Sequence, residues 1–190
     1  MELEAYFGEI QSGHLEQVGY DTYCNLLDEV VKEMKGITVE KEVEIQIDLN
    51  VTSYIPDEYI EDSNQKIEIY QNIALCKNEE DIQNVIDEII DRFGNMPEEL
   101  ENLIDIARIK YLAKGLNIEK IASRRTAVVF TFSMNKLDID INELVKIYGN
   151  KIKFSAGIKS MITLEIGSNN ERQILNDVTE FLKLGGKICK

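Results

Sequence analysis

Residues 115–133 read GLNIEKIASRRTAVVFTFS. A short strand is expected near 117–122 and a turn at Ser123–Arg125. A β-rich run follows over Ala127–Phe132. Two such runs around a polar turn predict a hairpin. Downstream, KIKFSA (151–156) and SMITLEIG (160–167) read as two further strands joined around Gly157. KLDIDINELVKIYG (136–149) gives a short helix from about Ile141. NNERQILNDVTEFLKLGG (169–186) gives a final helix with Ile174, Val178, Phe181 and Leu182 on its inner side.

Upstream of Gly115 the pattern is mostly helical. Tyr23, Leu26, Leu27, Val30, Val31 and Met34 recur at helical spacing within 15–35, and Gly36 closes that run. KEVEIQIDLN (41–50) alternates apolar and polar residues, as a half-buried strand or an extended connector does. SYIPDEYI (53–60) contains Pro56 and reads as a turn packed on the core, through Tyr54, Ile55, Pro56, Tyr59 and Ile60. Asp62, with Gln65 three residues on, starts a helix to about Leu75, with Ile67, Tyr70 and Ala74 on one side. Asn78 caps a helix that ends at Gly94. Pro97 opens another at its first position, with the stripe Leu100, Leu103, Ile104, Ala107 and Tyr111 and an end at Gly115.

Hairpins among helices predict an α+β fold: a small, mostly antiparallel sheet flanked by several helices, preceded by an N-terminal helical segment. The expected boundary lies near 36–40, dividing a loop-plus-helix segment over 1–39 from a domain over 40–190.

Charge is unevenly distributed along the 190 residues. Residues 1–56 carry 3 basic and 12 acidic groups, residues 57–105 carry 3 and 15, and residues 106–190 carry 15 and 8. The chain is −14 overall. An acidic first half repels phosphates and favours a basic protein surface as partner. The dispersed cations of the second half balance it within the fold. An alternative reading makes them a nucleic-acid contact through Lys151, Lys153, Lys159 and the Arg124–Arg125 turn. No run of eighteen apolar residues and no signal-peptide pattern occurs. Cys24, Cys76 and Cys189 are far apart and odd in number, which suits free thiols in a cytoplasmic protein.

Catalytic motifs are missing. No phosphate-binding GxxxxGK[ST] loop, dinucleotide fingerprint or calcium loop occurs. His14 is the sole histidine, and Ser12 near it lacks an orienting third group. The acids could serve a hydrolase only if a deep pocket perturbed them. No enzyme, cofactor or metal is therefore expected.

The acidic face is the informative feature. EEDIQNVIDEIIDRFGNMPEE (79–99) holds eight carboxylates and one cation, Arg92. Ile82, Val85, Ile86, Ile89, Ile90 and Phe93 form a helical stripe. At about 100° per residue, Asp91 points almost opposite its centre, with Glu80, Asn84, Asp87 and Glu88 on the same outward half. The face is either solvated, with Glu88 paired to Arg92, or a docking surface for arginines, whose bidentate pairs set register. Arg92 either braces Glu88 or joins that surface.

Three blocks carry a family resemblance. GEIQSGHLEQVGYDTYCNLLDEVV (8–31) resembles the stretch just past the helicase motor of transcription-repair coupling factors. YIPDEYIEDSNQKIEIYQNIA (54–74) and DEIIDRFGNMPEELENLIDIARIK (87–110) resemble that family's YIPDxYI…YxxIA and ELIDRFGxxP…LLxIARxK segments, in the family's order. Residues 116–190 resemble it in layout only. The resemblance implies the C-terminal domain of a DNA translocase that acts on stalled RNA polymerase and recruits UvrA. That domain has no catalysis of its own; it docks on the UvrB-like N-terminal module and masks the UvrA-binding surface. The family's two docking acids fall on Glu88 and Asp91. Gln11 matches a glutamine of the translocation motif shared with the RecG helicase. Here ELEAYFG replaces the family's arginine-rich approach and the motor is absent, so Gln11 is expected to be silent.

Overall fold

The structure is a computed structural model describing residues 45–133 and 139–188. In order the elements are β1 (Gln46–Asp48), α1 (Ser63–Leu75), α2 (Glu79–Phe93), α3 (Glu98–Lys114), β2 (Ile118–Arg124) and β3 (Ala127–Phe132). There follow α4 (Ile141–Tyr148), a 3-10 turn (Gly149–Lys151), β4 (Ile152–Ser155), β5 (Met161–Glu165) and α5 (Glu171–Ile188). The expected 15–35 helix, the 36–40 boundary, Gln11, His14, Cys24 and Cys189 fall outside the described residues.

The sheet runs β1-β2-β3-β5-β4. Its pairings are antiparallel except the first, where β1 lies parallel to β2. The expected mostly antiparallel α+β fold is what forms. One row crosses all five strands: Ile47, Ile121, Phe130, Ile162 and Phe154. The first four are buried against the helical layer, while Phe154, on the outer strand, is 37% exposed. Lys120, Thr131, Met161 and Ser155 make the neighbouring row on the opposite face. Phe130 stacks on Phe181 of α5 with ring centroids 4.3 Å apart, an offset pairing that fixes sheet to helix.

Local chemistry sets the helix ends. Asp62 accepts from the backbone N–H groups of Asn64 and Gln65, both at 2.9 Å, and so caps α1. Asn78 accepts from Asp81 N–H at 2.9 Å at the start of α2. Gly94 ends α2 at φ +85° and ψ −157°, a region open to glycine alone. Pro97 is the N-cap of α3 rather than its expected N1 residue, and Glu98 takes N1. α1 buries the expected Tyr70, but with Lys66, Ile69 and Ile73 beside it, while the expected Ile67 is half-buried and Ala74 is exposed. The cause is the 54–60 turn: Ile55 N–H donates to the Tyr70 hydroxyl at 2.9 Å, and the buried Lys66 stem carries its ammonium to Asp57.

α3 is the central helix. Besides the expected Leu100, Leu103, Ile104 and Ala107, it buries Asn102, Ile106, Ile109 and Ala113, because α1, α2, α5 and β2 all pack on it. Tyr111 stays half-buried. α5 approaches closely at Gly185, where a Cβ would meet Leu116 Cδ1 at 3.0 Å.

Candidate docking face on the second helix

α2 lays Ile82 and Ile89 into the core, with Val85, Ile86 and Phe93 partly buried beside them. Ile90 belongs to the expected stripe, yet is 45% exposed. With Ile82 and Ile89 as the centre, Ile90 stands about 90° round the helix, past the edge of the contact with α1 and α3. Phe93 gives an aromatic contact to Tyr59, whose hydroxyl donates to Gly94 C=O at 2.8 Å. The 54–60 turn thus holds the end of α2.

The start of α2 is fixed by charge. Arg108 of α3 grips the Glu79 carboxylate, Nε at 3.0 Å from both oxygens and Nη2 at 2.7 Å from one. Tyr111 O–H donates to the same carboxylate at 2.8 Å. The Arg108 bonds are the main reason that the Glu79 pKa lies below the usual carboxylate range. Burial, followed by its bond to Glu79, pushes the Tyr111 phenol up to about 12. Asp105 bridges Arg108 to Arg172 of α5, so α2, α3 and α5 share one chain of alternating charges.

Between these ends the outward face stands free of the core. Asp91, Asp87, Asn84 and Glu80 are exposed. Asp87 accepts from Gln83 Nε2 at 2.8 Å. Asp91 has no hydrogen-bond or ion-pair partner among the described residues. Glu88 lies on the flank toward α1: Oε1 takes Arg92 Nη1 at 2.6 Å, and Oε2 lies 3.5 Å from Asn72 Nδ2. Arg92 also reaches Glu68 of α1 at 3.2 Å, and its guanidinium sits 5.0 Å from the centre of the Phe93 ring. Its hydrogen bonds to Glu88 and then Glu68 raise its pKa further. Within the chain, then, Arg92 braces Glu88 against α1.

Elsewhere the arrangement offers little for catalysis. Burial and the Asp81 charge push the Cys76 thiol up to about 11, far from a reactive thiolate. Among the described residues no group of His, Cys, Asp and Glu has metal-ligating geometry. Lys153 pairs with Glu165 at 3.2 Å, Lys159 pairs with Glu119, and Lys151 faces Asp177. Two features escaped sequence reasoning, the Arg108–Glu79 clasp and buried Asn102. Asn102 Nδ2 donates to Thr52 C=O at 3.0 Å and to Glu171 at 3.3 Å. Arg108 lies in the IARIK stretch, but nothing in its spacing names a partner 29 residues away.

A family model described as the TRCF domain matches residues 49–144, which contain α1 to β3 and the whole acidic face. The chain belongs to the TRCF domain family. The transcription-repair-coupling factor of Bacillus subtilis (strain 168) is 34% identical over 182 residues, covering 93% of this chain and 16% of its own length. That of Rickettsia prowazekii (strain Madrid E) is 35% identical over 178 residues, with coverages of 92% and 16%. This chain therefore spans about a sixth of these curated relatives. A crystal structure of the C-terminal domain of transcription-repair coupling factor superposes with a TM-score of 0.70 at 20% identity, over 77% of this chain and 94% of that one. The fold is shared with that C-terminal domain, and the family expectation from the sequence holds. Among the described residues, no helix is long and apolar enough to cross a membrane.

Proposed function

We propose that the chain is a non-catalytic regulatory domain of a cytoplasmic transcription-repair coupling factor. It docks through the outward face of α2 on the UvrB-like N-terminal module of the same parent protein and masks the UvrA-binding surface. UvrA, RNA polymerase and DNA are partners of the parent, reached only indirectly. The observation that carries the reading is Asp91. It is an exposed carboxylate without a side-chain partner among the described residues, on a helix clamped at both ends and carried by a rigid core. Such a carboxylate is presented to a partner without reorganisation. Glu88 joins it by exchanging Arg92 for an incoming arginine, while Arg92 falls back on Glu68 and the Phe93 ring. Charged pairs at a wet interface re-solvate on separation, which suits a latch that must open. Gln11 takes no part in this contact.

Calorimetric titration of the 190-residue chain into the UvrB-like module tests the reading. Wild type is expected to bind in a salt-sensitive manner, and Glu88→Arg/Asp91→Arg, equally folded, is expected not to. A contact too weak in two pieces is tested in the full-length parent, where tethering raises the effective concentration. There the same variant is expected to bind UvrA without the activating step. Equal behaviour of variant and wild type in both formats would make the acids a solvated surface.

A further inference from the structure

Asn102, Asp105 and Arg108 recur at every third residue of α3. At about 100° per residue, each step falls about 60° short of a full turn, so the row winds round the helix. It spans about 9 Å of helix axis. The winding brings it to three neighbours in turn. Asn102 meets the 49–53 connector, which follows β1, and Glu171, the first residue of α5. Asp105 accepts from Arg172, the second residue of α5, at 2.6 Å. Arg108 grips Glu79, the first residue of α2.

The connector end of the row is a knot. Thr52 N–H donates to Glu171 Oε2 at 3.0 Å, and the Thr52 hydroxyl donates to Oε1 at 2.9 Å. Asn102 Nδ2 bonds both Thr52 C=O and Glu171 Oε2. Asn102 is 1% exposed, so a half-lifted connector strands a buried amide, which is costly. The connector is therefore either seated or fully lifted. Glu171 and Arg172 are neighbours in the first turn of α5, so a shift of one moves the other. Arg172 shares Asp105 with Arg108, and Arg108 sets the position of Glu79.

We infer that this polar row couples the 49–53 connector to α2 and regulates the docking face. With Thr52 seated on Glu171, the start of α2 is held in place. With the connector lifted, Arg172 leaves Asp105, Arg108 is drawn toward that carboxylate, and the grip on Glu79 loosens. The inference rests on α2 being the docking face and adds what controls it. A load that draws β1 from β2 reaches the connector next, because residues 49–53 follow directly on β1. Coupling between separate sites needs a two-state element that both of them bias, and the Thr52–Glu171–Asn102 knot is that element. By reciprocity, a partner seated on α2 steadies the connector in turn.

The test is amide hydrogen exchange, followed by NMR on the full 190-residue chain carrying Thr52→Val or Glu171→Gln. Each is expected to speed exchange about tenfold at residues 82–85, within the range of ordinary couplings between sites. Residues 90–93, held by the 54–60 turn, and the β3–β5 ladder are expected to keep their wild-type rates. A rise confined to 49–53 and 171–174 would overturn the coupling, and so would an equal rise at every amide. Thr52→Val, at an exposed position and of nearly the same shape, decides alone if Glu171→Gln does not fold. A double-mutant cycle of Thr52→Val and Glu79→Gln in urea is expected to show coupling of about threefold in the unfolding constant, and strict additivity would overturn it. Thr52→Val, with Glu88 and Asp91 intact, is also expected to bind the UvrB-like module several-fold more weakly than wild type. Equal binding would overturn the regulation. Failure of the wild-type chain to bind, with the exchange pattern as expected, would refute the docking reading and not the coupling.

Discussion

The clasp between Arg108 and Glu79 can be measured by a double-mutant cycle of Arg108→Met and Glu79→Gln. Arg108 is only 17% exposed at its side chain, whereas Glu79 is 52% exposed. Hydrogen bonds to charged groups contribute about 1.5–3 kcal/mol, and fully exposed pairs about 0–1 kcal/mol. With one partner half in water, the screened coupling should be about 1 kcal/mol. Arg108→Met alone should cost more, about 2 kcal/mol, because Asp105 also loses one of its two arginines. In a chain of this size that is a fall in Tm of roughly 4–8 °C. Urea unfolding followed by circular dichroism gives each corner of the cycle.

The pH dependence follows from the direction of the Glu79 shift. Its folded-state pKa is lowered, so the clasp stabilises fully above the unfolded value of about 4.3. That stabilisation is lost as pH falls through the folded value. The coupling should persist from pH 7 to about 5 and shrink toward pH 3. A coupling near zero at pH 7, or one unchanged at pH 3, would refute this account of how α2 is seated.

Two further changes probe the frame. Gly94→Ala meets no neighbouring atom within 4 Å, so its expected loss of about 1–3 kcal/mol comes from backbone strain alone. A loss no larger than that of a surface substitution in the same urea assay would refute the assigned conformation. Asp177 has its pKa raised by burial and then by Glu180. A raised carboxylate favours the folded state below its unfolded pKa, and that advantage is lost as pH rises. Asp177→Asn should therefore stabilise the protein by a few tenths of a kcal/mol at pH 7 and by nothing near pH 3. Equal effects at both pH values would contradict it.

Patterning revealed most of the frame, because capping and period are local properties. Asp62, Asn78 and Gly94 mark helix ends by chemistry confined to a few residues. The 115–133 hairpin and the inner face of α5 follow from apolar period alone. What escaped was set by partners distant in sequence. α1 turned its face because the 54–60 turn reaches Tyr70. α3 is buried over more of its circumference than one stripe, so that stripe understated its place and hid Asn102. Ile90 looked like core because periodicity gives direction without saying how far a contact extends. At the acidic face, the outward direction of Asp91 was legible. The company Glu88 keeps with Asn72 and Arg92 was only partly so, since Asn72 and Glu68 belong to the neighbouring helix.

The parallel pairing of β1 with β2 has a mechanical consequence. A pull applied at Gln46, the first residue of β1, acts along the strand's own axis. A tug from that side loads the β1–β2 hydrogen bonds together, in shear, instead of peeling them one by one. The three residue pairs of that ladder, Gln46–Lys120, Ile47–Ile121 and Asp48–Ala122, act as a short rivet. A domain tethered in this way to a moving assembly can be dragged as a rigid body before its sheet begins to come apart.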